Sequence, residues 1–295
     1  MGPATEMGGG MKLAALLLAA AISASAATYY LTVSGLGGEA DYEQRFKMWA
    51  EDIGRTTKST AMVAPTREKL RARLAELAKE IKPDDAFVLM LVGHGTYDGA
   101  DYKFNLPGPD ITATELAGML DRIPATRQLV VNMTSASGGA LDLLKRPSRV
   151  VVCATKSGTE KNATVFARYW AEALRDPAAD TDKNETVSAL EAFQYAQKKT
   201  KEFYETNKRL ATEHPQIEDG KDNRLAAAFP LLRIGSNAAA ATDPAKRQLL
   251  ATKEQLEQQI DKLKYEKVTI PEAEYKKRLT ALLLQLAQTQ EELDK

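Results

Sequence analysis

The chain has 295 residues, of which 44% are hydrophobic, so it is long enough for one sizeable buried core and an additional segment. Its 40 Lys and Arg residues balance its 40 Asp and Glu residues, and neither sign is concentrated in a long block. Because nucleic-acid binding depends on a basic surface, we expect no nucleic-acid partner.

The amino-terminal stretch MKLAALLLAAAISASA has the pattern of a secretory signal peptide. A lysine precedes a short apolar run, and Ala24-Ser25-Ala26 forms a small-x-small cleavage motif. The run is too short to span a bilayer as a helix. We predict that residues 1–26 are a signal peptide, that Met11 is the true start, and that the mature protein is periplasmic or secreted. It would then contact a membrane only through the signal peptide before cleavage.

Residues 27–235 alternate apolar strands with amphipathic helices. The stretches TYYLTVS, AFVLMLV, QLVVNM and RVVVCAT predict strands, and the last three are apolar enough to be covered on both faces. Helices are predicted where apolar residues recur at helical spacing, as in Tyr42, Phe46, Trp49 and Ile53, in Leu70, Leu74, Leu77 and Ile81, and in Phe166, Tyr169, Trp170, Ala173 and Leu174. This alternation predicts an α/β fold with a mostly parallel sheet flanked by helices.

The composition changes at SNAAAATDPAKR, residues 236–247, which we interpret as a linker. In residues 248–295, leucines recur at helical spacing on both sides of a break at VTIPEAEY, which predicts an antiparallel helical hairpin. The hairpin either packs on itself or its own domain, or pairs with another chain as a coiled coil and makes an oligomer.

Cys153 is the single cysteine, and it lies within an apolar strand. An exported protein with one cysteine has no internal disulfide bond. We therefore predict an inert thiol in the core.

Two motifs directly follow buried strands. His94 stands between Gly93 and Gly95 after AFVLMLV, and Ser135 lies at the tip of the small-residue turn NMTSASGG after the next strand. Loops at the carboxyl ends of parallel strands form the sites of such sheets. A turn of this kind commonly presents a nucleophile and leaves backbone N–H groups free to hold an oxyanion.

A buried strand leading into His-Gly, followed by a buried strand leading into a turn and Ser-Gly, resembles the caspase-like and legumain-like cysteine peptidases of clan CD (peptidase C13 type). The resemblance covers residues 28–234 and extends to VVVCATKSGTEKNATVFARYWAEAL, which is similar to the family's next strand, substrate-side loop and helix. It implies a caspase-like fold with His94 as base. The backbone N–H groups of Gly95 and of residue 135 would form the oxyanion hole, and an acyl-enzyme would form at residue 135.

The chain departs from the family's Glu/Asp-Ala-Cys-x-Ser-Gly motif. Ser135 stands at the position of the catalytic cysteine, and Met133 stands at the acidic position. A serine hydroxyl is far harder to deprotonate than a thiol, and it needs a closely bonded, oriented base. We therefore predict an inactive peptidase-like protein that serves as a binding or scaffold module for a protein or peptide partner. The alternatives are a weak hydrolase with Ser135 as nucleophile and His94 as base, or an unrelated α/β function.

The stretch DTDKNETVSALE places oxygen ligands at the EF-hand loop positions 1, 3, 5, 7, 9 and 12, namely Asp180, Asp182, Asn184, Thr186, Ser188 and Glu191. Glu185 stands where the loop needs glycine for its left-handed backbone. The loop either binds a structural calcium ion or is a solvated acidic loop that caps the following helix. If it binds calcium, a calcium-gated binding module is a further possible function. No other cofactor is expected.

Overall fold

The structure is a computed structural model that describes residues 26–220, 222–267 and 269–295. The predicted signal peptide therefore lies outside the described residues, except for Ala26. No helix in the described part of the chain combines the length and the apolar character that crossing a bilayer requires.

The strands are β1 (Thr28–Ser34), β2 (Met62–Val63), β3 (Ala86–Val92), β4 (Gly95–Tyr97), β5 (Tyr102–Phe104), β6 (Ile111–Thr112), β7 (Arg127–Asn132), β8 (Arg149–Cys153), β9 (Thr186–Ser188), β10 (Gln216–Glu218) and β11 (Pro230–Arg233). The helices are α1 (Ala40–Thr57), α2 (Arg67–Glu80), α3 (Ala113–Leu120), α4 (Leu141–Leu144), α5 (Phe166–Ala173), α6 (Ala189–Thr206), α7 (Arg224–Ala227), α8 (Gly235–Thr242), α9 (Pro244–Glu266) and α10 (Glu272–Leu293).

Six strands form the main sheet, in the order β10-β8-β7-β3-β1-β2. Every pairing is parallel except that of β10 with β8. Helices α1, α5 and α6 cover one face, and helices α2, α3 and α4 cover the other. All seven residues of β3 are buried, because this central strand is covered on both faces. The predicted mostly parallel sheet flanked by helices is confirmed.

Two smaller sheets complete the domain. Strands β4, β5 and β6 form an antiparallel sheet directly after the central strand, and β11 pairs with β9 rather than with the main sheet. The first of these sheets carries Gly95 at its start, so it determines what lies beside the predicted nucleophile position.

The structure differs from the predicted linker at residues 236–247. This segment is helical, since α8 covers its alanine run and α9 begins at Pro244. Alanine has the highest helix propensity, and proline is favoured in the first turn of a helix. The carboxylate of Asp243 accepts a hydrogen bond from Ala245 N at 2.8 Å, which caps α9.

Helices α9 and α10 form an antiparallel pair, as predicted, because Lys246 near the start of α9 donates to the carbonyl of Leu293 at the end of α10 (2.6 Å). The pair also contacts its own domain. Glu254 of α9 forms a two-pronged ion pair with Arg233 of β11, with N–O distances of 2.6 and 2.9 Å. The hairpin therefore packs on itself and on its own domain, which is one of the two arrangements that the sequence leaves open.

Cys153 is a free, buried cysteine, as predicted. Burial raises the pKa of its thiol to about 12, so the thiolate is scarcely populated near neutral pH. This side chain is a core residue and not a nucleophile.

Candidate functional site

Ser135 lies at the carboxyl edge of the sheet, but its side chain is closed off. The residue is 2% exposed. Its hydroxyl donates to the carbonyl of Gly95 at 3.0 Å and accepts from the N–H of the same residue at 3.1 Å. The structure thus brings Ser135 and Gly95 together, while the N–H predicted to hold an oxyanion already binds the hydroxyl of Ser135.

Tyr102 fills the space beside this pair. A Cβ atom added to Gly95 would lie 2.3 Å from Tyr102 Cε2 and 2.6 Å from the carbonyl oxygen of Ser135. The phenol is 1% exposed, and its hydroxyl lies 2.6 Å from Thr134 Oγ1 and 3.2 Å from Asn132 Oδ1. Because these partners are themselves fully buried, Tyr102 is fixed in place. Not even a methyl group fits between the ring and Gly95.

The imidazole of His94 packs against helix α1. Its ring makes edge-to-face contacts with Tyr42 and Phe46, with ring centroids 4.8 and 4.9 Å away. Burial lowers the pKa of His94, and an interaction with the backbone of Gly37 partly offsets this shift. Among the described residues, no hydrogen bond joins this imidazole to Ser135. The predicted base and the predicted nucleophile are not assembled as a pair.

The rest of the turn is held by the loop that follows β8. Ala136 has a left-handed backbone (φ 55°), and its N–H donates to the carbonyl of Glu160 at 2.7 Å. The N–H of Gly138 donates to Thr155 Oγ1 at 2.9 Å. A Cβ on Gly138 would meet the backbone nitrogen of Ser157 at 2.3 Å. The small residues of this turn therefore allow two backbone segments to approach closely, and this packing explains why the turn contains small residues.

Met133 stands where the resemblance expects an acidic residue, and it is fully buried in the core. Its backbone N–H donates to the carbonyl of Leu91 (2.9 Å), and its carbonyl accepts from Thr164 Oγ1 (2.7 Å). A carboxylate at this position would be desolvated without an ionic partner, so the methionine suits the core and not a substrate contact.

The loop between Asp180 and Glu191 is held by hydrogen bonds from its backbone N–H groups to its own carboxylates. The carboxylate of Asp180 accepts from the N–H groups of Asn184 (3.2 Å) and Glu185 (3.1 Å). Residues 186–188 form β9, and the carboxylates of Asp180, Asp182 and Glu191 each offer an oxygen within 4.8 Å of the others. Thr186 and Ser188 lie on β9, and Asn184 precedes it.

Glu185 takes the left-handed conformation that the loop needs, with φ of 64°. Its carboxylate points away from the loop and accepts from the N–H groups of Ser236 (2.9 Å) and Asn237 (3.2 Å) at the start of α8. The departure from glycine therefore serves as a helix cap between the loop and the C-terminal helices.

The capping role predicted for the acidic loop is also present. Ser188 Oγ accepts from Glu191 N at 3.2 Å, and Glu191 Oε2 accepts from Ser188 N at 2.9 Å, which is a reciprocal capping box at the start of α6. The calcium interpretation uses the same residues, so capping does not decide between the two.

Helix α9 brings further carboxylates to the loop. A small cavity of about 60 Å³ lies between them, lined by acidic residues from both sides, namely Asp182, Glu191, Glu254, Glu257 and Asp261. Burial raises the pKa of Glu257 to about 7, and the carboxylate of Asp182 adds to this shift. Burial and Glu191 likewise raise the pKa of Asp182. A divalent cation would relieve this repulsion, because its charge favours ionised carboxylates.

Calcium binding by this loop stays a prediction, and it has a direct test. Calcium at about a hundredfold over its dissociation constant should add roughly 2.7 kcal/mol to the free energy of unfolding. For a domain of this size, the Tm should rise by roughly 5–10 °C in calcium relative to EDTA. Asp182→Asn should remove most of this rise. The control Asp142→Asn makes the same charge change at a side chain that is 85% exposed, and it should keep the rise. Equal Tm values of the wild type in calcium and in EDTA would show that this loop binds no calcium ion.

Comparison with known proteins gives no family for the chain. No family model matches it, and no curated protein matches it. Among solved structures, the crystal structure of Chaetomium thermophilum Raptor aligns over 81% of this chain and 34% of that chain, with 11% identity and a TM-score of 0.39. The chain thus spans about a third of the length of that structure.

Proposed function

We propose that this chain is an exported, peptidase-like protein that has no catalytic activity and acts as a binding or scaffold module for a protein or peptide partner. The observation that carries the proposal is the state of Ser135, whose buried hydroxyl is hydrogen-bonded in both directions to the backbone of Gly95. A nucleophile must reach the carbonyl carbon of its substrate, and a hydroxyl in this position does not. Export is part of the proposal and rests on residues 11–26.

The surroundings of Ser135 support the proposal in two further ways. The acceptor of its proton is the Gly95 carbonyl and not an imidazole, so no base activates the hydroxyl. The lowered pKa of His94 also makes that ring a weaker base.

A weak hydrolase built on Ser135 would need a rearranged site. Both hydrogen bonds to Gly95 would have to break, and Tyr102 would have to move away from Gly95. Leaving buried polar groups without partners costs about 1–3 kcal/mol for each group. This cost would be added to the barrier of every turnover, which is why we favour the inactive protein.

Peptide hydrolysis tests the proposal. We expect the wild type, Ser135→Ala and His94→Ala to hydrolyse fluorogenic peptides at the same background rate. The peptides form a mixture in which the residue before the scissile bond is varied over all residue types. Circular dichroism should show that both variants are folded. Hydrolysis by the wild type that is lost in both folded variants would instead establish Ser135 as a nucleophile and His94 as its base.

A further inference from the structure

Two neighbouring cavities run along the carboxyl-terminal end of α6. The first, of about 410 Å³, is lined by residues that include Tyr42, Arg45, Asn162 and Phe203. The second, of about 450 Å³, is lined by residues that include Thr200, Leu210, Ala211 and Pro215. Tyr204 and Arg209 line both cavities, so the two adjoin and share a wall. We name this surface, defined by these ten residues, the α6 groove.

The first cavity has an excess of positive charge. The guanidinium groups of Arg45 and Arg209 line it, and none of its lining residues is acidic. Arg45 is paired with Asp41 and lies over the ring of Tyr42, 4.6 Å from the centroid. Among the described residues, no carboxylate lies within ion-pair distance of Arg209. The cavity thus suits an anionic group, and a planar guanidinium is suited to bind a carboxylate.

The second cavity is mainly apolar. Leu210 is 90% exposed, more than any other large hydrophobic side chain of the described residues, and it lies beside Ala211 and Pro215. The hydroxyl of Thr200 is buried here and has no hydrogen-bond partner in the described structure. An apolar side chain bound against Leu210 would remove this leucine from water, which favours binding by about 25 cal/mol per Å² of buried area.

The groove is a formed surface. The buried carboxylate of Glu213 accepts from Val165 N (2.8 Å), Phe166 N (3.2 Å) and the hydroxyl of Tyr204 (3.0 Å). These bonds fix the segment after α6 to the start of α5. Tyr42 forms part of the wall and also contacts His94, so the groove begins beside the predicted site.

We propose that the α6 groove binds an extended peptide segment of a partner protein in which an acidic residue and an apolar residue stand two positions apart. The carboxylate would bind Arg209 in the first cavity, and the apolar side chain would pack against Leu210 in the second. Side chains of an extended chain alternate between its two faces, so residues two positions apart, about 7 Å along the chain, point to the same side and reach two cavities that share a wall. This inference rests on the proposed binding function and gives that function a ligand class.

Fluorescence anisotropy of a rhodamine-labelled peptide, Leu-Gly-Asp-Gly-Leu, tests the proposal. We expect its affinity for the wild type to fall at least about tenfold when the aspartate is replaced by asparagine, and as much when both leucines are replaced by serine. Arg209→Gln should abolish the preference for aspartate, and Leu210→Ser should abolish the preference for leucine. The control Lys198→Gln removes a charge from an exposed side chain of α6 outside the groove and should change neither preference.

The outcomes separate the groove from the proposed function. If the peptide does not bind, or if Arg209→Gln and Lys198→Gln weaken binding equally, the groove is not the site, and the proposed inactive binding module is left standing. Mass spectrometry of the recovered peptide shows whether the protein has cleaved it. A cleaved peptide would overturn the proposed function, whichever variant binds it.

Discussion

Gly95→Ala is expected to be one of the most destabilising single substitutions in this protein. The added Cβ would lie 2.3 Å from Tyr102 Cε2 and 2.6 Å from the carbonyl oxygen of Ser135. Neither neighbour has room to retreat, since the phenol is buried and hydrogen-bonded and the carbonyl belongs to the backbone. Overpacking of this kind costs about 1–3 kcal/mol and more where backbone must shift, so we expect a loss of at least about 3 kcal/mol.

Urea unfolding measures this effect, and Gly118→Ala is the matched control. No atom lies within 4 Å of a Cβ placed on Gly118, which is an exposed position in α3. Removing a helix glycine there should raise the free energy of unfolding by up to about 1 kcal/mol. If Gly95→Ala stayed within about 1 kcal/mol of the wild type, the space beside Ser135 would be open enough for a ligand.

Trp170→Ala is expected to have the second large effect. Trp170 is fully buried in α5 between the sheet and α6, and its ring packs against Phe166 at a centroid distance of 6.0 Å. Replacing a buried tryptophan by alanine leaves a large cavity and costs about 3–5 kcal/mol. Because α5 follows the loop that forms one wall of the groove, binding of the peptide should weaken as well.

Trp170→Phe should cost much less than Trp170→Ala, for a specific reason. The indole Nε1 is buried and has no hydrogen-bond partner among the described residues. Phenylalanine keeps most of the ring contacts and removes an N–H that is already unsatisfied, so part of its cost is offset. Equal losses in the two variants, measured by urea unfolding, would contradict this explanation.

The main sheet could be predicted because its central strands are continuous apolar runs. β3, β7 and β8 each carry a run of aliphatic residues that indicates a strand covered on both faces, and the helices between them show regular apolar spacing. The strands β4, β5, β6 and β9 are only two or three residues long, so periodicity does not reveal them. The prediction of a linker is wrong for the alanine run of α8, because this helix has no stripe of large apolar residues by which its sequence could indicate a packed helix.

The position of the candidate site in the fold could be predicted, but the orientation and contacts of its side chains could not. His94, Gly95 and Ser135 do lie after the strands that the sequence indicates. The sequence gives no sign that Tyr102 closes the space beside Gly95, since that contact depends on how the β4–β6 sheet folds back. The orientation of His94 likewise depends on Tyr42 of α1, whose spacing indicates a helix face but not its contact.

The most direct test of a closed Ser135 is the intact mass of the protein after incubation with a fluorophosphonate probe, which reacts covalently with activated serine hydroxyls. We predict that the mass stays unchanged under conditions that fully label an active serine hydrolase. The buried hydroxyl bonded to Gly95 is neither accessible nor activated. A single phosphonyl adduct on Ser135, absent from Ser135→Ala and reduced in His94→Ala, would contradict this prediction and with it the proposal of an inactive protein.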